Sequence, residues 1–239
     1  MPESNDRSGL PVVTPPASRD ARPANAPSTA ESAGAATPER EAATVVGVLL
    51  AAGTSSRYGA ENKLLQDLDG APIVRRAAET LLESDVDRVV VVLGYEADRV
   101  RDALAGLALE FVDNPEYERG QATSVAAGVE AVRDADAAVF ALGDMPLVSA
   151  DSVDALVATY RADAWTALAA ACDGHRGNPV LFDATHFDAL AAVDGDTGGR
   201  DVLLHGDHSA LVETSDTGVL RDVDTPDEYR TIRKSGGAE

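Results

Sequence analysis

The sequence predicts an α/β fold: three layers, with a mostly parallel central sheet covered by helices on both sides. Three observations carry that prediction. Short β-branched apolar runs alternate with segments of helical period between residues 44 and 163, the pattern of successive strand–helix units. Those runs are apolar at nearly every position, as strands buried on both faces are. No internal repeat is visible along the 239 residues, so a single domain with a less regular second half is expected.

The elements follow in order. Residues 1–43 contain seven of the twelve prolines, interleaved with Ala, Ser and Thr. No helical or strand period survives there, and a disordered tail is expected, with the folded domain spanning 44–239. "TVVGVLL" is the first buried strand. "PIVRRAAETLLES" opens on proline and repeats apolar residues at Ile73, Ala77 and Leu81 and at Val74, Ala78 and Leu82, an amphipathic helix with proline in its first turn. "DRVVVVLGY" is a second strand and "EADRVRDALAG" a helix closed by glycine. "LEFVDN" makes a third strand. "QATSVAAGVEAVRDA" brings Val125, Val129 and Val132 onto one helical face. "AAVFALGD" is a fourth strand, and "SADSVDALVATYRAD" a helix with a Ser or Asp cap. Beyond it "TALAAACDG", "NPVLF", "SALVET" and "VLRDVD" read as strand-like pieces, separated by "ATHFDALAAV" and "GGRDVLLHG".

Composition narrows the function. The net charge of −21 predicts a surface that repels nucleic acid and anionic membranes, so neither is an expected partner. Abundant Asp and Glu with only two lysines, Lys63 and Lys234, suggests a halophilic protein whose self-repulsion is screened by salt. The single cysteine, Cys172, rules out an intrachain disulfide and reads as a small buried hydrophobe. No apolar run approaches the roughly 18 residues of a bilayer span. "MPESNDRSGLPVV" lacks the basic start and apolar stretch of a signal peptide, so a soluble cytoplasmic protein is expected.

Open parallel sheets bind ligands beyond the carboxyl ends of their strands, and three segments deserve a chemical reading there. "AAGTSSRYGAENK" has small residues whose amides can form an anion-binding nest, with Arg57 and Lys63 as mobile positive charge. It matches neither the phosphate loop nor the dinucleotide fingerprint, and a solvated turn is the alternative. In "ALGDMPLV", Asp144 follows a strand; it either holds Mg²⁺ through one oxygen or caps the next turn. In "RDVDTPDEY", Asp224 ends a strand-like run and either joins a metal site or caps the last helix. Two carboxylates facing a cationic glycine loop fit a nucleoside triphosphate with its metal. His205 and His208 in "HGDH" read as a solvated loop, and no Ser-His-Asp order or Cys-His pair stands out.

In combination, "LLAAGTSSRYGAENKLL", "ALGDMPLV" and "DVDTPDEY" closely resemble the MobA-like nucleotidyltransferases, relatives of the sugar-phosphate nucleotidyltransferases. "GHRGNPVLF" and "GDTGGRDVLL" resemble the branch that contains molybdenum cofactor cytidylyltransferase. The resemblance covers residues 45–234 and implies a Rossmann-like sheet of the nucleotide-diphospho-sugar transferase type. It implies a backbone around Ala51, Ala52 and Gly53 that holds the nucleotide, with Arg57 and Lys63 on its phosphates. "DNPEYERGQATS" resembles the second nucleotide-contacting loop, pointing to Asn114, Gly120 and Ser124. Asp144 and Asp224 resemble the Mg²⁺ ligands, and "HRGNP", with Arg176, Gly177 and Asn178, would face the acceptor together with "GDTGGR". His175 and Gly199 stand where the family more usually has Arg and Ala.

The implied reaction transfers CMP from CTP to the terminal phosphate of molybdopterin and releases pyrophosphate. Mg²⁺ is the implied cofactor, and a molybdoenzyme or its chaperone the implied protein partner. The Ala-Ala-Gly form resembles cytidylyltransferases, and the methyl of Ala52 is expected to narrow the base pocket against a purine. Transfer of another nucleotide to a different small phosphate (a phospho-lactate or sugar phosphate) and a non-catalytic cofactor carrier are the alternatives.

Overall fold

Strand β1 (Val12–Val13) lies at one edge of the sheet and β2 (Val45–Ala51) near its middle. A two-stranded ribbon of β3 (Asp67–Leu68) and β4 (Ala71–Pro72) leads into helix α1 (Ile73–Leu82). Next come β5 (Arg88–Leu93), α2 (Ala97–Ala103), β6 (Glu110–Asp113) and α3 (Gln121–Ala131). They are followed by β7 (Ala137–Leu142), α4 (Ala150–Ala162), β8 (Ala167–Cys172) and β9 (His175–Asp183). The chain continues through α5 (Phe187–Ala191), α6 (Arg200–His205), β10 (Ser209–Glu213) and α7 (Pro226–Gly236). This computed structural model describes residues 9–16, 40, 42–55, 58–59, 61–195 and 199–236, with side chains up to residue 233.

The eight-stranded sheet has the order β1-β10-β8-β9-β7-β2-β5-β6. It is parallel except for β9, which runs antiparallel to both β7 and β8. Pleating sorts successive side chains to opposite faces, and two separate cores result. Leu49 of β2 and Val89, Val91 and Leu93 of β5 pack with Val74, Ala78 and Leu81 of α1, Val100 of α2 and Leu156 of α4. Val46 and Val48, with Val90 and Val92, pack on the other face with Val125 and Val129 of α3, Phe187 and Leu190 of α5 and Leu203 of α6. This is the three-layer α/β/α arrangement, and it explains why β2 and, beyond its first residue Arg88, β5 carry no polar side chain. Cys172 is buried at the end of β8, and burial, aided by Asp173, Glu213 and Asp216, pushes its thiol up.

Two expectations need correction. The first is the tail. Among its described residues, Val12 and Val13 pair in parallel with Leu211 and Val212, and Pro11 accepts a bond from the Leu211 amide at 2.8 Å. Arg40 donates to the Asp163 carbonyl and to Asp183 Oδ2, and its guanidinium lies 4.4 Å from the centre of the Tyr160 ring. Three apolar residues among prolines carry no period, but the open edge of β10 supplies a partner that sequence reading does not see. The second is "VLRDVD", which is not a strand. Thr217–Leu220 is a 3₁₀ turn and residues 221–225 are irregular. Its alternation of apolar and polar residues buries Val219 and Val223, and the Val223 amide anchors the run to the Asp144 carbonyl at 2.9 Å.

Candidate active site

The chain passes from β2 outward through β5 and β6, then returns to place β7 on the other side of β2. Strand order therefore reverses between β2 and β7, where the loops beyond the two strands separate and open a crevice. The loop after β2 carries residues 52–63, and the turn after β7 carries Asp144. The Gly143 amide bonds the Leu50 carbonyl at 3.0 Å, fixing the two strand ends together.

The described residues of the loop after β2 hold one another in place. Asn62 is 2% exposed and caps the 3₁₀ turn Lys63–Leu65 by accepting from the Leu64 amide. Ser55 Oγ donates to Asn62 Oδ1 and accepts from the Lys63 amide at 3.2 Å. This aims the Lys63 side chain across the crevice, where Nζ stands 2.6 Å from Asp144 Oδ2 and 2.6 Å from Asp224 Oδ1. Asp224 is held by the first turn of α7. Glu228 accepts from the amides of Asp224 and Thr225 and from the Thr225 hydroxyl at 2.8–2.9 Å, a reciprocal capping arrangement. Burial alone would pull the Lys63 ammonium down, but Asp144 and Asp224 outweigh it, so the lysine keeps its proton more firmly than usual.

A third carboxylate, Asp222, joins them: one oxygen from each of Asp144, Asp222 and Asp224 lies within 4.8 Å of the others. Burial, and then Asp224 and Asp144, push the Asp222 carboxyl up. Three carboxylates against one ammonium leave excess negative charge, which suits a hard divalent cation with oxygen ligands. Asp144 Oδ1 is sealed from solvent and has no hydrogen-bond partner among the described residues. A metal ion would satisfy that orphaned acceptor, so this donor set fits one. Asp222 stood unnamed in the sequence reading although it lies two residues before Asp224. In a locally extended run those two side chains share a side, and that spacing was the available signal.

These groups border a cleft of about 530 Å³, also lined by Ala52, Gly53, Gly120 and Ser124. A second cavity of about 300 Å³ is lined by Arg176, Asn178 and Arg200 over an apolar floor that includes Phe140 and Phe182. Leu50, Gln121 and Leu142 line both, so the two cavities abut. Several residues named from the sequence lie elsewhere. Ala51 is buried in the core, 1% exposed. Asn114 sits beneath the second loop, donating to Thr123 Oγ1 and Ser124 Oγ and accepting from the Glu116 amide, so it shapes that loop from below. Gly177 packs against the 3₁₀ turn, where a Cβ would stand 2.2 Å from the Val219 carbonyl oxygen. Arg57 lies outside the described residues. Ala52 is 2% exposed, and a Cβ on Gly94 would stand 2.8 Å from its methyl. Ala52 thus lines the cleft with almost no exposed surface, its methyl packed toward Gly94.

Residues 47–210 match the family described as the MobA-like NTP transferase domain. The chain is 34% identical to the purine catabolism protein PucB of Bacillus subtilis, over 80% of this chain and 97% of that one. It is 33% identical to nicotine blue oxidoreductase of Paenarthrobacter nicotinovorans, over 79% and 96%. Identity to the molybdenum cofactor cytidylyltransferase of Escherichia coli is 28%, over 78% and 94%. Among solved structures, Rv0371c of Mycobacterium tuberculosis superposes with a TM-score of 0.72 at 27% identity, covering 81% of this chain and 99% of that one. A manganese complex of Rv0371c superposes at 0.67 and 26% identity, covering 80% and 99%.

Proposed function

Since the chain belongs to the MobA-like NTP transferase family, we propose that it moves CMP from CTP to the terminal phosphate of molybdopterin, the molybdenum cofactor, and releases pyrophosphate. The observation that carries the proposal is the Lys63–Asp144–Asp224 cluster in the 530 Å³ cleft, which adjoins the cavity bearing Arg176 and Arg200. The larger cleft would take the nucleotide along Gly53, Gly120 and Ser124. The smaller one combines two guanidiniums with an aromatic floor, which suits an acceptor with a flat body and an anionic group.

In the reaction an oxygen of the acceptor phosphate forms a bond to the α-phosphorus of CTP. The bond from that phosphorus to the bridging β-phosphate oxygen breaks, and pyrophosphate leaves with the electron pair. Two anions must approach, so alignment and charge neutralisation dominate catalysis. Asp144 and Asp224, with Asp222 beside them, would hold Mg²⁺, which supplies positive charge to the phosphate oxygens. Lys63 and Arg57 would bind the phosphates. The preference for CTP rests on the Ala51-Ala52-Gly53 form of the loop, acting through loop shape, given that the Ala52 methyl is buried. A molybdoenzyme or its chaperone would receive the product.

Pyrophosphate release measured with each nucleoside triphosphate, with and without the pterin phosphate, tests this reading. CTP and the pterin together should give the fastest release. A wild type with equal kcat/KM for GTP would remove the cytidylyl assignment, and turnover indifferent to the pterin would remove the acceptor. The chain is more similar to PucB and to nicotine blue oxidoreductase than to the cytidylyltransferase, and for that reason nucleotidyl transfer to a different small phosphorylated acceptor is kept as a second reading.

A further inference from the structure

Lys63 is the one cationic side chain among the described residues lining the larger cleft. Its ammonium is turned onto the protein's own carboxylates, 2.6 Å from Asp144 Oδ2 and 2.6 Å from Asp224 Oδ1, and the side chain is only 13% exposed. The residues suited to hold a divalent cation are thus the residues that already hold the lysine. The lysine and a dication therefore compete for the same two residues: with two of its three N–H donors on Asp144 and Asp224 the ammonium has one left for a phosphate, and it repels a dication approaching either carboxylate.

We propose that Lys63 is a displaceable counter-ion of the metal site. It holds Asp144 and Asp224 together until a divalent cation takes over their charge, and it is then released into the cleft to meet the nucleotide's phosphates. The inference rests on the nucleotidyltransferase reading of this site. Charge supports it, because three carboxylates and one lysine leave two negative charges at the cluster. One divalent cation lowers the charge that the carboxylates present to the ammonium from three to one, which weakens the attraction that keeps it in place. The local structure supports it as well. The Lys63 backbone is anchored to Ser55 Oγ and begins the 3₁₀ turn Lys63–Leu65, so only its flexible four-carbon stem has to move. Metal and nucleotide would then bind with positive coupling through one side chain.

The chain has only two lysines, Lys63 and Lys234, which makes the test direct. The full-length protein is treated briefly with acetic anhydride, with or without Mg²⁺ and with no nucleotide, and acetylation of each lysine-containing peptide is followed by mass spectrometry. Calorimetry under the same conditions reports Mg²⁺ binding. Mg²⁺ should raise the labelling rate of Lys63 severalfold and leave that of Lys234 unchanged. In Asp144→Asn, and separately in Asp224→Asn, Lys63 should label faster without metal and respond little to it. Labelling of Lys63 that is unchanged or slower while Mg²⁺ binds would overturn the proposal, as would absence of Mg²⁺ binding to the wild type. Pyrophosphate release by the wild type judges the enzymatic reading separately: an active protein whose Lys63 stays protected in Mg²⁺ retains that reading and loses the displacement.

Discussion

In the proposed reaction Asp144 concentrates the chemistry in one side chain. One oxygen meets Lys63 and the other is buried with no partner among the described residues, so its contribution is charge at the crevice and not packing. Asp144→Ala should therefore lower turnover by about 10²- to 10³-fold or more while leaving the fold intact. Pyrophosphate release and thermal melting check the two halves, and a near-normal rate in Mg²⁺ would remove Asp144 from the metal site. Gly177 is the opposite case, a residue whose value is the absence of a side chain. A methyl there would stand 2.2 Å from the Val219 carbonyl oxygen, where both contacting groups are backbone and neither can rotate away. Gly177→Ala should cost about 1–3 kcal/mol or more of stability, read by denaturant unfolding. An unchanged midpoint would mean that the 3₁₀ turn moves freely.

At the scale of elements, the site depends on how two helices begin. Glu228 in the first turn of α7 fixes the amides of Asp224 and Thr225. Glu228→Ala should cost about 0.5–2 kcal/mol, as loss of a cap does, and should raise the Mg²⁺ concentration needed for half-maximal activity. Glu228→Gln, which keeps an acceptor, should recover part of both effects; a variant with unaltered Mg²⁺ dependence would separate the cap from the site. The start of α4 is organised around Asp216, which accepts from the Ser149 amide and hydroxyl, the Ser152 hydroxyl and the Gly218 amide. Burial alone would raise its carboxyl, but these donors outweigh it and hold the pKa below the ordinary value. A carboxyl depressed in the folded state adds stability above its unfolded pKa of about 4 and loses it as pH falls through the folded value. Asp216→Asn should be less stable than wild type at neutral pH, and the gap between the two melting temperatures should close on acidification below about pH 4. A gap constant with pH would show that the negative charge is irrelevant.

For the whole molecule, a net charge of −21 makes self-repulsion the dominant long-range force. Salt shortens the range of that force to about 3 Å at 1 M, so the melting temperature should climb from low to molar salt. A flat or falling profile would contradict adaptation to high salt. The amino-terminal segment also acts at this scale, because Val12–Val13 covers the β10 edge of the sheet. Among the described residues no helix is long and apolar enough to cross a membrane.

The sequence by itself determined the alternation of strands and helices, the two-sided burial of β2 and β5, and the loops that bear Lys63 and Asp144. Each of these rests on local periodicity or on a turn next to a strand, which neighbouring residues encode. Only the tertiary structure decided that Lys63 meets Asp224, 161 positions away, that Asp222 completes the carboxylate cluster, and that Asn114 lies beneath the second loop. It also decided that residues 12–13 extend the sheet and that "VLRDVD" stays irregular. Such outcomes depend on which strand ends the crossover connections bring side by side. A single linear pattern does not record that, because the partners that satisfy each backbone amide and each charge come from distant parts of the chain.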